Sequence, residues 1–193
     1  YNNQVCKGAS KGCKQSCLIN SGRMIMESAV NARQNRTAYY FNDNEMFTMS
    51  LKGEIAALLY KATKQGKRLA MRLNGTSDLD WSSIYKAFPT VQFYEYTKRP
   101  DLAKKLNKIE NVHITFSKHE NHSVANVKKL LSSGVNVAVV FNKEVPAEYI
   151  NITVIDGDKH DRRFEDKQGR IIGLKLKGTN KVKQLAIESG FAV

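Results

Sequence analysis

No run of the 193-residue chain is apolar for the roughly twenty residues that a helical membrane span requires, so no such span is expected. Cysteine is scarce as well. Three residues, an odd number, do not make the framework of a secreted disulfide scaffold, and a reducing cytoplasm suits them better. Acidic residues fall short of basic ones, 18 against 31, which leaves a net charge of +13. Such a surplus raises nucleic acid or an anionic small molecule as a partner. No nucleic-acid recognition motif accompanies it, and much of it sits in lysine patches such as Lys104-Lys105-Leu106-Asn107-Lys108 and residues 175–183, where a solvated surface explains it equally well. The absence of a Gly-x-Ser-x-Gly elbow argues against a conventional serine esterase. The chain starts at Tyr1 without a methionine, so the natural N-terminus is expected to lie upstream. The 41% apolar and 25% charged content is that of an ordinary globular protein, long enough for one domain with a real core.

All three cysteines fall within twelve residues, Cys6-Lys7-Gly8-Ala9-Ser10-Lys11-Gly12-Cys13-Lys14-Gln15-Ser16-Cys17. Such crowding points to thiolates converging on one metal centre, although a loop with incidental thiols remains the alternative. Cys13 and Cys17 are spaced to share one face of a helical turn, and Gly8 and Gly12 let the backbone fold back toward Cys6. Lys7, Lys11 and Lys14 offset the negative charge that thiolates bring. A structural zinc ion wants four protein ligands, so it would need His119, His122, His160 or a carboxylate from far along the chain. A [4Fe-4S] cubane manages with three cysteines and leaves one iron open for chemistry. The C-x6-C-x3-C spacing is that of neither the ferredoxins nor the radical S-adenosylmethionine enzymes.

Beyond the cysteines, apolar positions at helical spacing predict a helix over residues 24–33 and a second one, capped near residues 42–45, running to about residue 65 with a stripe of Phe47, Leu51, Ile55, Leu58 and Leu59. From there strand-like runs recur at 68–73, 91–96, 112–116, 135–140, 152–155 and 171–176. Helical patterns lie between most of them, at 80–88, 100–106, 123–131 and 180–188. Strand, helix, strand at this period means right-handed crossovers and a parallel sheet. The expected fold is a single α/β domain, with residues 1–66 as cluster loop and flanking helices and residues 67–193 as (βα) repeats. The repeats are expected to form a partial or distorted TIM-like barrel, with a doubly wound sheet as runner-up.

In parallel α/β folds the chemistry gathers where the strands end at their carboxyl termini. Those positions supply Asn74, Ser77 and Asp78; Glu95 and Lys98; Asn142; Asp156, Asp158 and His160; and Lys175. Of these, His160, Glu95 and Asp78 are candidate proton carriers, while Asn74, Ser77, Lys98, Asn142, Asp156, Asp158 and Lys175 are candidate substrate ligands. Asn-Gly and Asp-Gly also simply make turns, so each pair taken alone has a structural explanation.

Four motifs taken together, Cys6-x-Gly8-Ala9-Ser10-x-Gly12-Cys13-x-x-x-Cys17-Leu18, Arg72-Leu73-Asn74-Gly75-Thr76-Ser77-Asp78-Leu79, Gln92-Phe93-Tyr94-Glu95-Tyr96-Thr97-Lys98-Arg99 and Ile155-Asp156-Gly157-Asp158-x-His160-Asp161, resemble the bacteriophage gene product 88 family. The likeness runs from about residue 6 to about residue 178. Glu95 stands where the family pattern expects Asp. The resemblance implies a phage protein acting in the cytoplasm of the infected bacterium and is consistent with an iron–sulfur centre; it implies no particular reaction. Three functions are compatible with the residues: an enzyme of hydrolase or lyase type using the open iron as a Lewis acid on a small, anionic substrate; a radical S-adenosylmethionine-like enzyme; and a non-enzymatic factor that binds nucleic acid or a host protein around a structural cluster.

Overall fold

The computed structural model describes residues 5–193; residues 1–4 of the expected cluster segment lie outside the described residues. A short helix α1, Lys11–Gln15, is capped by Ser10, whose hydroxyl accepts from the Cys13 amide at 3.1 Å. Two 3-10 turns, Leu18–Asn20 and Gly22–Ile25, lead into a helical hairpin of α2, Glu27–Asn42, and α3, Asn44–Lys64. Asp43 makes the corner because its carboxylate accepts from the Met46 amide at 3.0 Å and so caps α3. Gly66 follows the end of α3 with φ of 64°, a left-handed conformation that glycine adopts at little cost. Ile55 is fully buried and Phe47, Leu51 and Leu59 pack on the core, whereas Leu58, expected in the same stripe, is 45% exposed.

All six expected strands form, as β1 (Ala70–Met71), β2 (Gln92–Thr97), β3 (Val112–Ser117), β4 (Val137–Phe141), β6 (Ile152–Asp156) and β7 (Ile171–Lys175). A seventh, β5 (Glu148–Tyr149), was not evident from sequence. It pairs antiparallel with β6 through a turn in which Ile150 and Asn151 both have positive φ, 52° and 62°. A two-residue hairpin demands that conformation, but a β-branched residue there carries no Asn-Gly signal to read. The remaining helices, α4 (Ser82–Ala87), α5 (Pro100–Leu106), α6 (Val124–Ser132) and α7 (Asn180–Glu188), fall within or beside the expected spans.

The sheet order is β1-β2-β3-β4-β7-β6-β5, parallel except at β5. This corrects the barrel expectation. β1 and β5 are free edges, the sheet is open, and each is only two residues long, too short to close a ring of strands. Nor is the order doubly wound, because β1 lies at an edge instead of near the middle. From β1 to β4 each crossover steps to the next neighbour, so right-handed connections put α4, α5 and α6 on one face. There Ile84, Tyr85, Leu102, Leu106, Val127 and Leu130 form one buried cluster with Phe93, Ile114, Phe116, Val137 and Val139. The step from β6 back to β7 carries its connection over the opposite face. In that connection Phe164 meets Tyr94 at 5.6 Å, and Arg163 is wholly buried beside Asp166 at 3.3 Å.

Phe93 is fully buried, 4.8 Å from the Tyr85 ring. Phe93→Ala is expected to lower stability by about 3–5 kcal/mol in chemical denaturation, the usual effect of an aromatic cavity. Tyr60→Ala, at a residue 63% exposed, is expected to leave the denaturation midpoint nearly unchanged.

Candidate functional site

The loops that leave the carboxyl ends of the strands and the cysteine loop border one cavity of about 500 Å³. Cys6, Cys13 and Cys17 line it with Asn74, Ser77, Asp78, Lys98, Asp158, His160 and Lys175. Glu95, Asn142 and Asp156 do not. Asn142 is exposed, its amide bonded to the Val193 carbonyl at 2.8 Å. Asp156 accepts from the Asp158 amide at 3.0 Å, a turn-forming contact. Glu95, expected to carry protons, is 1% exposed and spends its oxygens on the Leu73 amide at 2.6 Å, the Asn74 amide at 2.9 Å and the Tyr85 hydroxyl at 3.2 Å. It is a buried strut behind the cavity wall.

That strut holds the loop after β1. Asn74 is 4% exposed, and its side-chain oxygen accepts from Ser77 Oγ at 2.7 Å, the Leu79 amide at 3.1 Å and Trp81 Nε1 at 3.2 Å. Its amide nitrogen donates to the Leu79 carbonyl at 2.9 Å, so Asn74 shapes the loop with every polar atom engaged. Asp78 accepts from Thr97 Oγ1 at 2.6 Å and from the Lys98 amide at 3.1 Å, and its own amide donates to the Val5 carbonyl at 2.6 Å. One residue therefore ties the N-terminal segment, the β1 loop and the end of β2 together.

The cysteine loop is docked by Glu120, which sequence reading did not single out. Its carboxylate accepts from Ser10 Oγ at 2.7 Å and the Gly12 amide at 2.8 Å. Although burial opposes it, those bonds hold the Glu120 pKa below the ordinary value. Gly8 and Gly12 are required here for a reason other than flexibility, since neither has positive φ. A Cβ on Gly8 would lie 2.8 Å from Arg99 Cγ, and one on Gly12 would lie 2.7 Å from Ser189 Oγ, so only a bare backbone fits. Cys13 sits within α1, but Cys17 follows its end with an extended backbone, so the two do not share a helical turn. The fold brings the sulfurs to one cavity all the same. Cys6 Sγ donates to the Thr76 carbonyl at 3.3 Å, and no cysteine is in a disulfide.

Burial pushes the Cys6 thiol up to about 11, with Cys17, Asp78 and Cys13 adding to the rise and Lys14 opposing it. Cys13 is raised too, by burial, against the pull of Lys98. Lys98 donates to Ser117 Oγ at 2.8 Å and to the Lys118 carbonyl at 3.2 Å, with its ammonium 4.7 Å from the Phe191 ring centroid. Burial lowers its pKa, while Cys13, Glu120 and Asp78 pull the other way. Of the cations expected to balance the thiolates, Lys14 acts on Cys6, while Lys98, expected as a substrate ligand, acts on Cys13 from the end of β2.

Across the cavity, Asp158 accepts from Lys177 Nζ at 2.6 Å and the Lys175 amide at 2.8 Å. His160 Nδ1 lies 3.1 Å from Arg163 Nη2, which also donates to the His160 carbonyl. A guanidinium only donates, so Nδ1 accepts and the ring proton of neutral His160 resides on Nε2. Arg163 was invisible to sequence reading, since Arg162-Arg163 looks like surface charge. Arg72 was missed as well; it lies 4.7 Å over the Tyr96 ring and 3.7 Å from Asp161. His119 and His122 meet edge to face, with ring centroids 3.9 Å apart, and do not line the cavity. Among the described residues, no three His, Cys, Asp or Glu side chains are grouped tightly enough to hold a single metal ion.

A family model described as Gene product 88 matches residues 1–193. The chain belongs to the bacteriophage gene product 88 family. Neither the curated proteins nor the solved structures contain a significant match. In this gene product 88 protein, no described helix is long and apolar enough to cross a membrane.

Burial raises the Glu95 pKa from 4.5 to about 7, against its amide and hydroxyl donors. Across that interval the folded protein holds a proton that the unfolded chain has released, so this group makes stability fall as pH rises from 4.5 to about 7. Relative to Glu95→Gln, the parent is expected to lose stability over this range in denaturation at stepped pH. A difference that grows in the parent's favour would show the ionised carboxylate to be the preferred form. For the cysteine loop, Glu120→Ala is expected to cost about 1–3 kcal/mol, because it leaves the Gly12 amide and Ser10 hydroxyl without their acceptor. It should also speed alkylation of Cys13, measured by mass spectrometry; an unchanged rate would show the clamp to be dispensable.

Proposed function

We propose that this gene product 88 protein holds a [4Fe-4S] cluster on Cys6, Cys13 and Cys17 and acts on a small anionic substrate in a hydrolase- or lyase-type reaction in the cytoplasm of the infected host. The observation that carries the reading is that the three thiols border the same cavity as Lys98, Asp158, His160 and Lys175. Three free, half-buried cysteines, with the charges of Cys17 and Cys13 adding to the rise of the Cys6 pKa, suit a cationic group. Among the described residues they do not form a group tight enough for one metal ion, so the cluster reading rests on their number and on the cavity they share. Bound there, the cluster would supply an open iron as a Lewis acid.

The chain's own residues do the rest. Lys98 uses two donors on Ser117 and Lys118, which leaves its third N–H and its charge to attract an anion. His160, oriented by Arg163, offers Nε2–H as a hydrogen-bond donor to the negative charge that develops on the substrate. Asp158 orients the β7 end by holding the Lys175 amide and Lys177. Glu95 and Asn74 keep the wall in place and take no part in proton transfer. A second reading, with the cluster as a staple in a nucleic-acid-binding factor, is supported by the +13 charge.

Anaerobic purification should yield a brown protein with a cubane absorption band, an electron paramagnetic resonance signal on reduction, and about four irons per chain by metal analysis. Substituting any one cysteine by Ala should abolish the colour and much of the stability, whereas His160→Ala should keep the iron and lower turnover about a hundredfold. About one zinc and no iron would overturn the cluster assignment.

A further inference from the structure

A second cavity, of about 700 Å³, shares the cysteine loop as one wall but is otherwise enclosed by the helical hairpin and the segment that ends at Trp81. Its charged lining is of a single sign. Lys14, Arg33, Arg36 and Arg72 reach it, and no Asp or Glu does. Among the described residues Lys14, Arg33 and Arg36 form no ion pair, and Arg72 has only the distant Asp161 at 3.7 Å. Unpaired cations crowded around a concavity repel one another, an arrangement that an anion relieves.

Part of the remaining lining is aromatic. Tyr40, Phe47 and Trp81 border the same space, with the Phe47 and Trp81 rings stacked at 6.1 Å and 19° and Tyr40 edge-on to Trp81 at 5.7 Å. Helix α2 builds both halves, because Arg33, Arg36 and Tyr40 recur at three and four residues and share one face. Guanidinium groups bind phosphate in bidentate fashion, and rings bind flat apolar bodies. The volume falls within the range of small-molecule sites.

We propose that this cavity is a nucleotide site, with the phosphate among Arg33, Arg36, Arg72 and Lys14 and the base against the Tyr40, Phe47 and Trp81 wall. The proposal does not depend on the cluster, since every residue it uses for phosphate and base belongs to the polypeptide and none is a cysteine.

The test is isothermal titration calorimetry of the full chain as purified, with AMP, GMP, adenosine, inorganic phosphate and a single-stranded deoxyoligonucleotide, and with iron content measured separately. AMP or GMP is expected to bind at least tenfold more tightly than adenosine or phosphate alone. Arg33→Gln and Arg36→Gln are each expected to weaken nucleotide binding about tenfold or more, the effect of losing one charge-assisted contact, with unchanged circular dichroism. Lys181→Gln, at an exposed lysine on α7 that does not line the cavity, is expected to have no effect. Nucleotide binding that survives both arginine substitutions, phosphate binding as tightly as AMP, or binding of the oligonucleotide alone would each overturn the proposal. A chain purified anaerobically without iron that still binds AMP would sink the cluster reading and leave this one standing.

Discussion

The buried carboxylate of Glu95 is the contact on which the rest of the site depends. β1 is only two residues long and an edge, so its ladder cannot hold the loop that follows. Glu95 does so from the neighbouring strand by accepting from two successive amides, Leu73 and Asn74. A carboxylate with 1% exposure is costly to bury unless donors surround it, and here two amides and the Tyr85 hydroxyl do. The arrangement joins sheet, helix α4 and loop in one fixed unit. From that unit Asn74 gathers Ser77, Leu79 and Trp81, and Asp78 reaches out to Val5, Thr97 and Lys98.

Onto this platform the cysteine loop is laid as a close-fitting strip. Gly8 lies against Lys98 and Arg99, while Gly12 lies against Glu120 and Ser189. Both approaches leave no room for a Cβ. Glu120, in the loop after β3, then plays for the cysteine loop the part that Glu95 plays for the β1 turn, an acidic side chain satisfying loop donors, here an amide and a hydroxyl, that no strand partner reaches. Three free thiols thus share cavities with groups from β2, β6 and β7 although more than 140 positions separate Cys17 from His160.

The electrostatics follow from the same burial. Cys6 and Cys13, held away from water, resist ionisation, and the nearby counter-charges, Lys14 and Lys98, offset this only in part. The protein's large positive charge is therefore unevenly used. Some is paired at the surface, as in Lys105 with Asp80 at 2.8 Å and Arg162 with Glu165 at 2.8 Å, while the arginines of α2 face a cavity with no carboxylate.

Periodicity alone made six strands and the helices between them legible, because apolar residues at intervals of two and of three to four answer to local backbone geometry. The same holds for the crowding of the three cysteines, all of which border one cavity, and for the ten polar candidates at strand ends, seven of which border it too. Strand order is different in kind. Whether β7 inserts between β4 and β6, and whether the sheet closes, depends on pairing between segments far apart in sequence, which leaves no periodic trace. β5 was hidden by its Ile150-Asn151 turn. Glu95, Asp156 and Asn142 look like site residues in the chain, since a carboxylate or amide at a strand end reads the same whether it faces a cavity or braces the backbone. Only the tertiary structure separates Glu95, turned toward Leu73 and Asn74, from Lys98, turned toward the thiols. It alone could bury Arg163 behind His160, because the charge of a side chain does not say which neighbours the fold will bring to it.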